Sequence, residues 1–417
     1  MTYDLLRGVR IVESSAFIAA PMAGLTLAQL GADVIRIDAI GGGIDYRRMP
    51  TMPGGRSLYW TGLNKGKRSI AIDLRAPEGR ELVAALAAEP GEKAGVLLTN
   101  IASRWLSHAE LARRRADIIT CTIEGNADGS SALDYTVNCA TGFPAMTGSG
   151  SLARPVNHAL PAWDVACALQ AAASIASALL HRQQTGAGAE LRIALSDVAF
   201  ATLSHLGLLA EGELLDEDRP AIGNDIYGAF GRDFGTRDGR RIMVAAVSAK
   251  QWSALVAACA MGPQIGSIEA STGLQFDDEA DRFRGRHLIA ALVELWCEAR
   301  TFDQIAAAFA AHGVCWGAYK TVRGLLADDP RVSTANPLFE RADTPGVGAH
   351  LSAGSTLRIA GRQRRATRAA PYLGADTEAV LAEVLGLSSR AVGVLYDRGV
   401  VAGPVADPFW QAGKDGT

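Results

Sequence analysis

Apolar residues along the first two hundred positions fall into short β-like runs separated by longer stretches of helical period. Val9 to Glu13 reads as a strand, Pro21 to Leu30 as a helix and Val34 to Asp38 as the next strand. A strand at Ser69 to Asp73, a helix at Pro77 to Ala88, a strand at Gly95 to Asn100, a helix around Ser107 to Arg114 and a strand at Ile118 to Ile123 continue the alternation. Strands spaced by helices in this way predict parallel βαβ units, hence an α/β domain with an open, twisted, Rossmann-like sheet. The longest run of helical period comes next. Val165, Ala166, Leu169, Ala172, Ala173, Ala176, Leu179 and Leu180 share it until His181-Arg182 and the glycines 186 and 188 stop it, so a helix is expected over 162–184. A strand at Leu191 to Ala194 and a helix at Val198 to Glu211 follow.

The pattern changes beyond a polar break at residues 216–220. A hairpin is expected from Phe230 to Val244, turning at Arg237-Asp238-Gly239, then helices over 249–260, 281–298 and 301–311. Residues 336–355 are rich in proline and glycine and read as a linker with short strands; 376–385 and 388–398 read as helices that return to the first domain. The expected organisation is a large α/β domain at 1–215, a smaller α+β domain at 222–335, and a linker with C-terminal helices at 336–417. Residues 413–417 read as a dispensable tail.

Composition narrows the function classes. The 417 residues are 48% hydrophobic and 20% charged, the profile of a globular enzyme. A net charge of −3 and a pI near 6.2 exclude the basic footprint of a nucleic-acid or anionic-membrane binder. No basic segment leads into an apolar one at the N-terminus, and no apolar run reaches the ~18 residues that span a bilayer, so a cytoplasmic location is expected. Six scattered cysteines without a Cys-x-x-Cys pair are expected to be reduced core residues.

Candidate chemistry centres on His158-Ala159-Leu160-Pro161-Ala162-Trp163-Asp164, which places a carboxylate in the first turn of the long helix. The positive end of the helix dipole favours an anion there, which suits a nucleophile; the same residue also reads as a plain N-cap. Gly41-Gly42-Gly43 lacks dinucleotide-loop spacing. Gly62-Leu63-Asn64-Lys65-Gly66-Lys67-Arg68-Ser69 resembles a phosphate loop but is one residue short, leaving Lys65, Lys67 and Arg68 as either a phosphate-holding loop or a solvated turn. The seven histidines have no metal-ligand spacing, and His158 and His205 read as ordinary partly buried residues. Asn100 ends a strand, where ligands of open α/β sheets gather.

Taken as a set, Gly8-Val9-Arg10-Ile11-Val12, Ala20-Pro21, Leu30 to Asp38, Asp45-x-x-Arg48, Asn64 to Asp73 and Pro77-Glu78-Gly79 resemble the class III coenzyme A-transferases in order and spacing. Asp164 falls where that family carries its catalytic aspartate. The resemblance implies the class III CoA-transferase fold, an interlocked homodimer, and a CoA thioester of a small dicarboxylic acid as substrate, with no metal and no cofactor beyond the CoA of the substrate. It implies that Phe17, Ile18, Ala19, Arg48, Lys67, Arg68, Asn100, Ile101 and Arg104 contact substrate or CoA, Arg48 gripping either a carboxylate or a phosphate. Acyl-CoA racemases of the family place a histidine where this chain has Leu133, and a leucine can be neither acid nor base, so racemisation is disfavoured. Segments 15–24, 41–46, 60–68, 160–164 and 227–234 most resemble the branch of the family that moves CoA between the C1 and C4 carboxyl groups of one C5 acid, mesaconate. Transfer between two different acids, and a CoA-binding protein with Asp164 as a cap, are the alternatives.

Overall fold

A computed structural model describes residues 2–101, 103–148, 151–215 and 217–410; the tail at 413–417 lies outside them. In chain order the elements that matter for the site are β1 (Arg10–Ser14), α1 (Ala19–Gln29), β2 (Asp33–Asp38), α2 (Leu58–Asn64), β3 (Arg68–Ile72), α3 (Pro77–Ala87), β4 (Val96–Thr99), α4 (His108–Ala112), β5 (Ile119–Glu124), α5 (Asp134–Cys139), α6 (Phe143–Met146), α7 (Ala162–Thr185), β6 (Ala189–Ala194) and α8 (Leu195–His205). β1 to β6 are parallel neighbours in the order β3-β2-β1-β4-β5-β6. A two-residue strand, Val401–Ala402, closes the β3 edge in the antiparallel sense. The order reverses between β1 and β4, so the crevice at their C-terminal ends is where ligands of such sheets bind.

Two compact units emerge: residues 1–141, 158–209 and 330–417 in one, and 142–157 with 210–329 in the other. Residues 142–157, grouped above with the large domain, thus belong to the second unit. In the first, Ile35, Ile37, Ile70, Ile72, Leu97 and Val83 form a core with Val380, Leu381 and Val392 of the C-terminal helices Thr377–Leu385 and Ser389–Asp397. In the second, β7 (Phe230–Gly235), β8 (Arg241–Ala246) and β9 (Cys315–Ala318) form an antiparallel sheet whose core includes Phe230, Val244, Trp252, Phe276 and Phe309. β9 and the helices at 262–272 and 322–328 are additions to the elements expected from periodicity.

α7 is long and apolar enough, by length and composition, to cross a membrane, contrary to the reading of apolar runs above. Its inner face instead packs within the unit through Cys167, Ala168, Ala171, Ala172 and Ile175. Its last turn carries Arg182, which donates to the carbonyls of Gly95, Ala94 and Asp117. Four cysteines are buried as expected, but Cys139 and Cys315 are exposed.

Candidate active site

Asp164 is the third residue of α7, inside the helix, and Pro161 occupies the N-cap position. The cap itself is supplied from α5. One carboxylate oxygen of Asp134 accepts the backbone N–H of Trp163 at 2.7 Å and of Asp164 at 3.1 Å. This answers the choice left open by the sequence: the orphan amides of the helix end are satisfied by Asp134, and the half-buried Asp164 carboxylate accepts no hydrogen bond among the described residues.

The electrostatics differ from the expectation of a helix-stabilised anion. Burial, and then the negative charge of Asp134, push the Asp164 carboxyl up to about 6, with Arg48 opposing them. The dipole's favourable end is already spent on Asp134. Asp164 is therefore ionised at neutral pH yet more basic than an ordinary carboxylate, which favours attack on a carbonyl. Activity that depends on the Asp164 anion should fall as pH drops through about 6. In Asp134→Asn, which removes the repelling charge, the acid limb of kcat against pH should move toward the ordinary 3.8; a limb fixed in place would separate the pH dependence from Asp164.

Opposite Asp164 stand the turn after β1 and the segment leading to α2. The Arg48 guanidinium lies 5.4 Å from the ring centre of Phe17 and 5.4 Å from that of Tyr59. It forms no ion pair with a described residue, although it is close enough to Asp164 and Tyr59 to perturb both. Burial pushes the Tyr59 hydroxyl up to about 12, with Asp164 and Asp45 contributing. Phe17 has a φ of 64°, a left-handed conformation that costs of order 1 kcal/mol for a residue with a side chain. The turn is held there from two sides: the Phe17 N–H donates to Asp45 at 2.9 Å, and Asn100 pairs with both the N–H and the C=O of Ala16 at 2.9 and 2.8 Å. Asn100 thus stitches the ends of β1 and β4 together at the switch point. Ile18 is the N-cap residue of α1 and Ile101 and Arg104 are exposed just beyond β4, whereas the Ala19 side chain is buried in the core, leaving only its backbone for a ligand.

Lys67 and Arg68 are not at this end of the sheet, and the phosphate-loop reading fails for both. Gly62 and Asn64 lie in α2, which Ser57 caps. Lys67 is 1% exposed, and its ammonium uses its three donors on Glu13, Asn64 and the Pro21 carbonyl, at 2.8–2.9 Å. Burial pulls its pKa down to about 8, with Glu13 opposing. Arg36, likewise buried, bonds Glu13, Asp38, Ser15 and Asn64. Arg68 pairs with Asp33 at the start of β2 and with Glu383. Lys65 donates to Ser352 and to the Ala353 carbonyl. Lys67, with all three donors filled, has nothing left for a phosphate, and Arg68 is committed to two carboxylates. The buried network instead props up the β1–α1 turn through Ser15 and through Asp45, which lies 3.7 Å from Arg36. Gly24 of α1 belongs to it by omission: a Cβ there would sit 1.8 Å from a Glu13 oxygen.

Local sequence offers no reading of Asp134 or Tyr59, takes Asp45 only as part of the Asp45-x-x-Arg48 motif, and reads His158 as an ordinary partly buried histidine. The signal for Asp134 was its place beside Leu133; that it caps a helix 30 residues later is a tertiary fact. No group of described residues is arranged to hold a metal ion. A groove of about 780 Å³ lies elsewhere, lined by Leu5, Val9, Lys93, Leu179 and Arg182, among others, and holds neither Asp164 nor Arg48.

The model of CoA-transferase family III matches residues 6–377. The chain is 50% identical over 402 residues, 96% of its length and 98% of the relative's, to 2-methylfumaryl-CoA isomerase of Chloroflexus aurantiacus. It is 26% identical to human succinyl-CoA:glutarate CoA-transferase over 95% of its length and 90% of the relative's. Among solved structures, a CaiB/BaiF family protein from Brucella suis superposes with a TM-score of 0.74 at 25% identity, over 92% of this chain and 100% of that one.

Proposed function

The chain belongs to CoA-transferase family III, and from that premise we propose that it moves coenzyme A between the two carboxyl groups of one C5 acid, converting 2-methylfumaryl-CoA into 3-methylfumaryl-CoA. The observation that carries this reading is the 50% identity to an isomerase of that name, against 26% to a transferase that exchanges two acids. The site is consistent with it: a raised, unbonded carboxylate faces an arginine that has no anion of its own among the described residues.

In this mechanism a carboxylate oxygen of Asp164 attacks the C1 thioester carbonyl, and the C–S bond breaks to give a mixed anhydride and CoA thiolate. The thiolate attacks the aspartyl carbonyl, which leaves an aspartyl-CoA thioester and free mesaconate. The acid turns end for end, its C4 carboxylate attacks the aspartyl thioester, and the same two steps run in reverse. No net proton is gained or lost. Arg48 grips whichever carboxylate is not reacting; Phe17 and Ile18 line the acyl pocket and set the backbone toward the developing oxyanion. Ile101 and Arg104, exposed past β4, take the CoA moiety. A homodimer in the cytoplasm completes the reading.

The intramolecular step is testable by label. Isotope-labelled mesaconate added in excess should stay out of the C4-CoA product, added succinate should yield no succinyl-CoA, and conversion should proceed at full rate with no added acid. Label incorporation at the isomerisation rate would instead establish exchange between two acids, the second reading that the human relative favours.

A further inference from the structure

His158 lies six residues before Asp164, and its imidazole Nε2 is 3.1 Å from the Asp134 oxygen that does not serve the helix. Asp134 is 2% exposed and the His158 side chain 27%, so the carboxylate end of this contact is shielded while the imidazole reaches toward solvent. One Asp134 oxygen therefore holds the first two amides after the α7 N-terminal residue, while the other faces the histidine. The imidazole is in turn packed edge-on to Tyr135, with ring centres 6.3 Å apart, and tilted against Trp163 at 6.5 Å. Trp163 is anchored by its indole N–H to Asn138 at 3.0 Å. The result is a connected path, His158 to Asp134 to the peptide N–H of Asp164.

We infer that His158 is a positioning residue: by donating to Asp134 it fixes that carboxylate's plane and offsets part of its charge, and so sets both the placement and the charge state of Asp164. The inference rests on the nucleophilic role proposed for Asp164, but its first readout does not require turnover. Among the described residues, the titratable and charged groups that face this path are Asp134 and Tyr135 on α5, Asp164 and Cys167 on α7, and Arg48 and Tyr59 across from Asp164. With the imidazole gone, Asp134 still accepts two amides at the positive end of a helix, but the charge it turns on Asp164 is no longer offset. The two halves of the pair thus act on Asp164 in opposite directions.

The experiment is a titration of the Asp164 carboxyl by 13C NMR in the full-length protein, assigned by difference against Asp164→Asn, with kcat and KM for the CoA thioester measured alongside. His158→Leu and His158→Asn, the latter too short to reach, should move the Asp164 midpoint up by half a pH unit or more. Asp134→Asn should move it down, and His158→Gln, which restores a donor, should return it close to the parent value. In the same His158 variants kcat at pH 7 should fall about tenfold with KM unchanged within twofold. A midpoint that stays in place or moves down in His158→Leu and His158→Asn, even with a lower melting temperature, would overturn the assignment and leave His158 a packing residue only. Failure of the label experiment above with these shifts present would overturn the isomerase reading but not the positioning role.

Discussion

Asp164→Asn, freshly prepared, is expected to lose turnover by roughly 10^3-fold or more while binding CoA thioesters nearly as before, because it deletes the nucleophile and leaves the rest of the crevice in place. The same substitution is expected to stabilise the protein at neutral pH. The Asp164 carboxyl is raised from 3.8 to about 6 in the folded chain, so between those values the folded state holds a proton that the unfolded state has released. Stability therefore falls as pH rises through this window, and the whole penalty persists above it. At about 1.4 kcal/mol per unit the shift sets a ceiling near 3 kcal/mol, and screening at a half-buried side chain reduces it to about 1–2 kcal/mol. Melting temperatures of the two proteins should diverge at pH 7 and converge below 3.8. Retention of a tenth of parental kcat would remove Asp164 from the chemistry, and equal stability at pH 7 would remove the buried charge from it.

Lys67→Met is expected to cost about 3–5 kcal/mol of stability, the price of leaving a buried carboxylate without its partner. Glu13 would retain Arg36 and Ser15 but lose the ammonium that sits 2.8 and 2.9 Å from its two oxygens. Pairing it with Glu13→Gln should recover part of the loss, because the orphaned charge is then gone; a double variant no more stable than the single would contradict this account of the network. Denaturant unfolding of the three proteins measures the effect. KM for the CoA thioester in whatever remains folded should change little. A phosphate-binding lysine would behave in the opposite way, with a raised KM, a loss that shrinks in salt, and an unchanged unfolding curve.

This contrast shows where sequence stops being informative. The strands β1 to β6 and the helix α7 were legible because each is specified by its own period: alternating or continuous apolar runs for buried strands, and a stripe recurring every three or four residues for α7. The position of Asp164 in the first turn followed from the same stripe. Lys67 was not legible. Lysines are so seldom buried that one between a glycine and an arginine reads as surface, and the partner that reverses this, Glu13, lies 54 residues away. α2 was missed because its seven residues include Gly62 and end at a turn, too short for a period to show. Asp134 acts through backbone amides of another helix, and a bond to a backbone leaves no mark in the identity of the residue that donates it.

The strand Val401–Ala402 has a consequence for how the chain is made. It pairs with β3, and the neighbouring Asp376 and Thr377 bond the amides of Ser69 and Ala71. The edge of the large sheet is thus completed by residues made more than three hundred positions after the strand they protect. During synthesis β3 waits with open backbone groups, the kind of edge that recruits a wrong strand, while residues 210–329 emerge as one uninterrupted stretch with a core of their own. The order of assembly follows: the inserted unit can fold as it is translated, and the unit that carries Asp164 is sealed only after that stretch has been made.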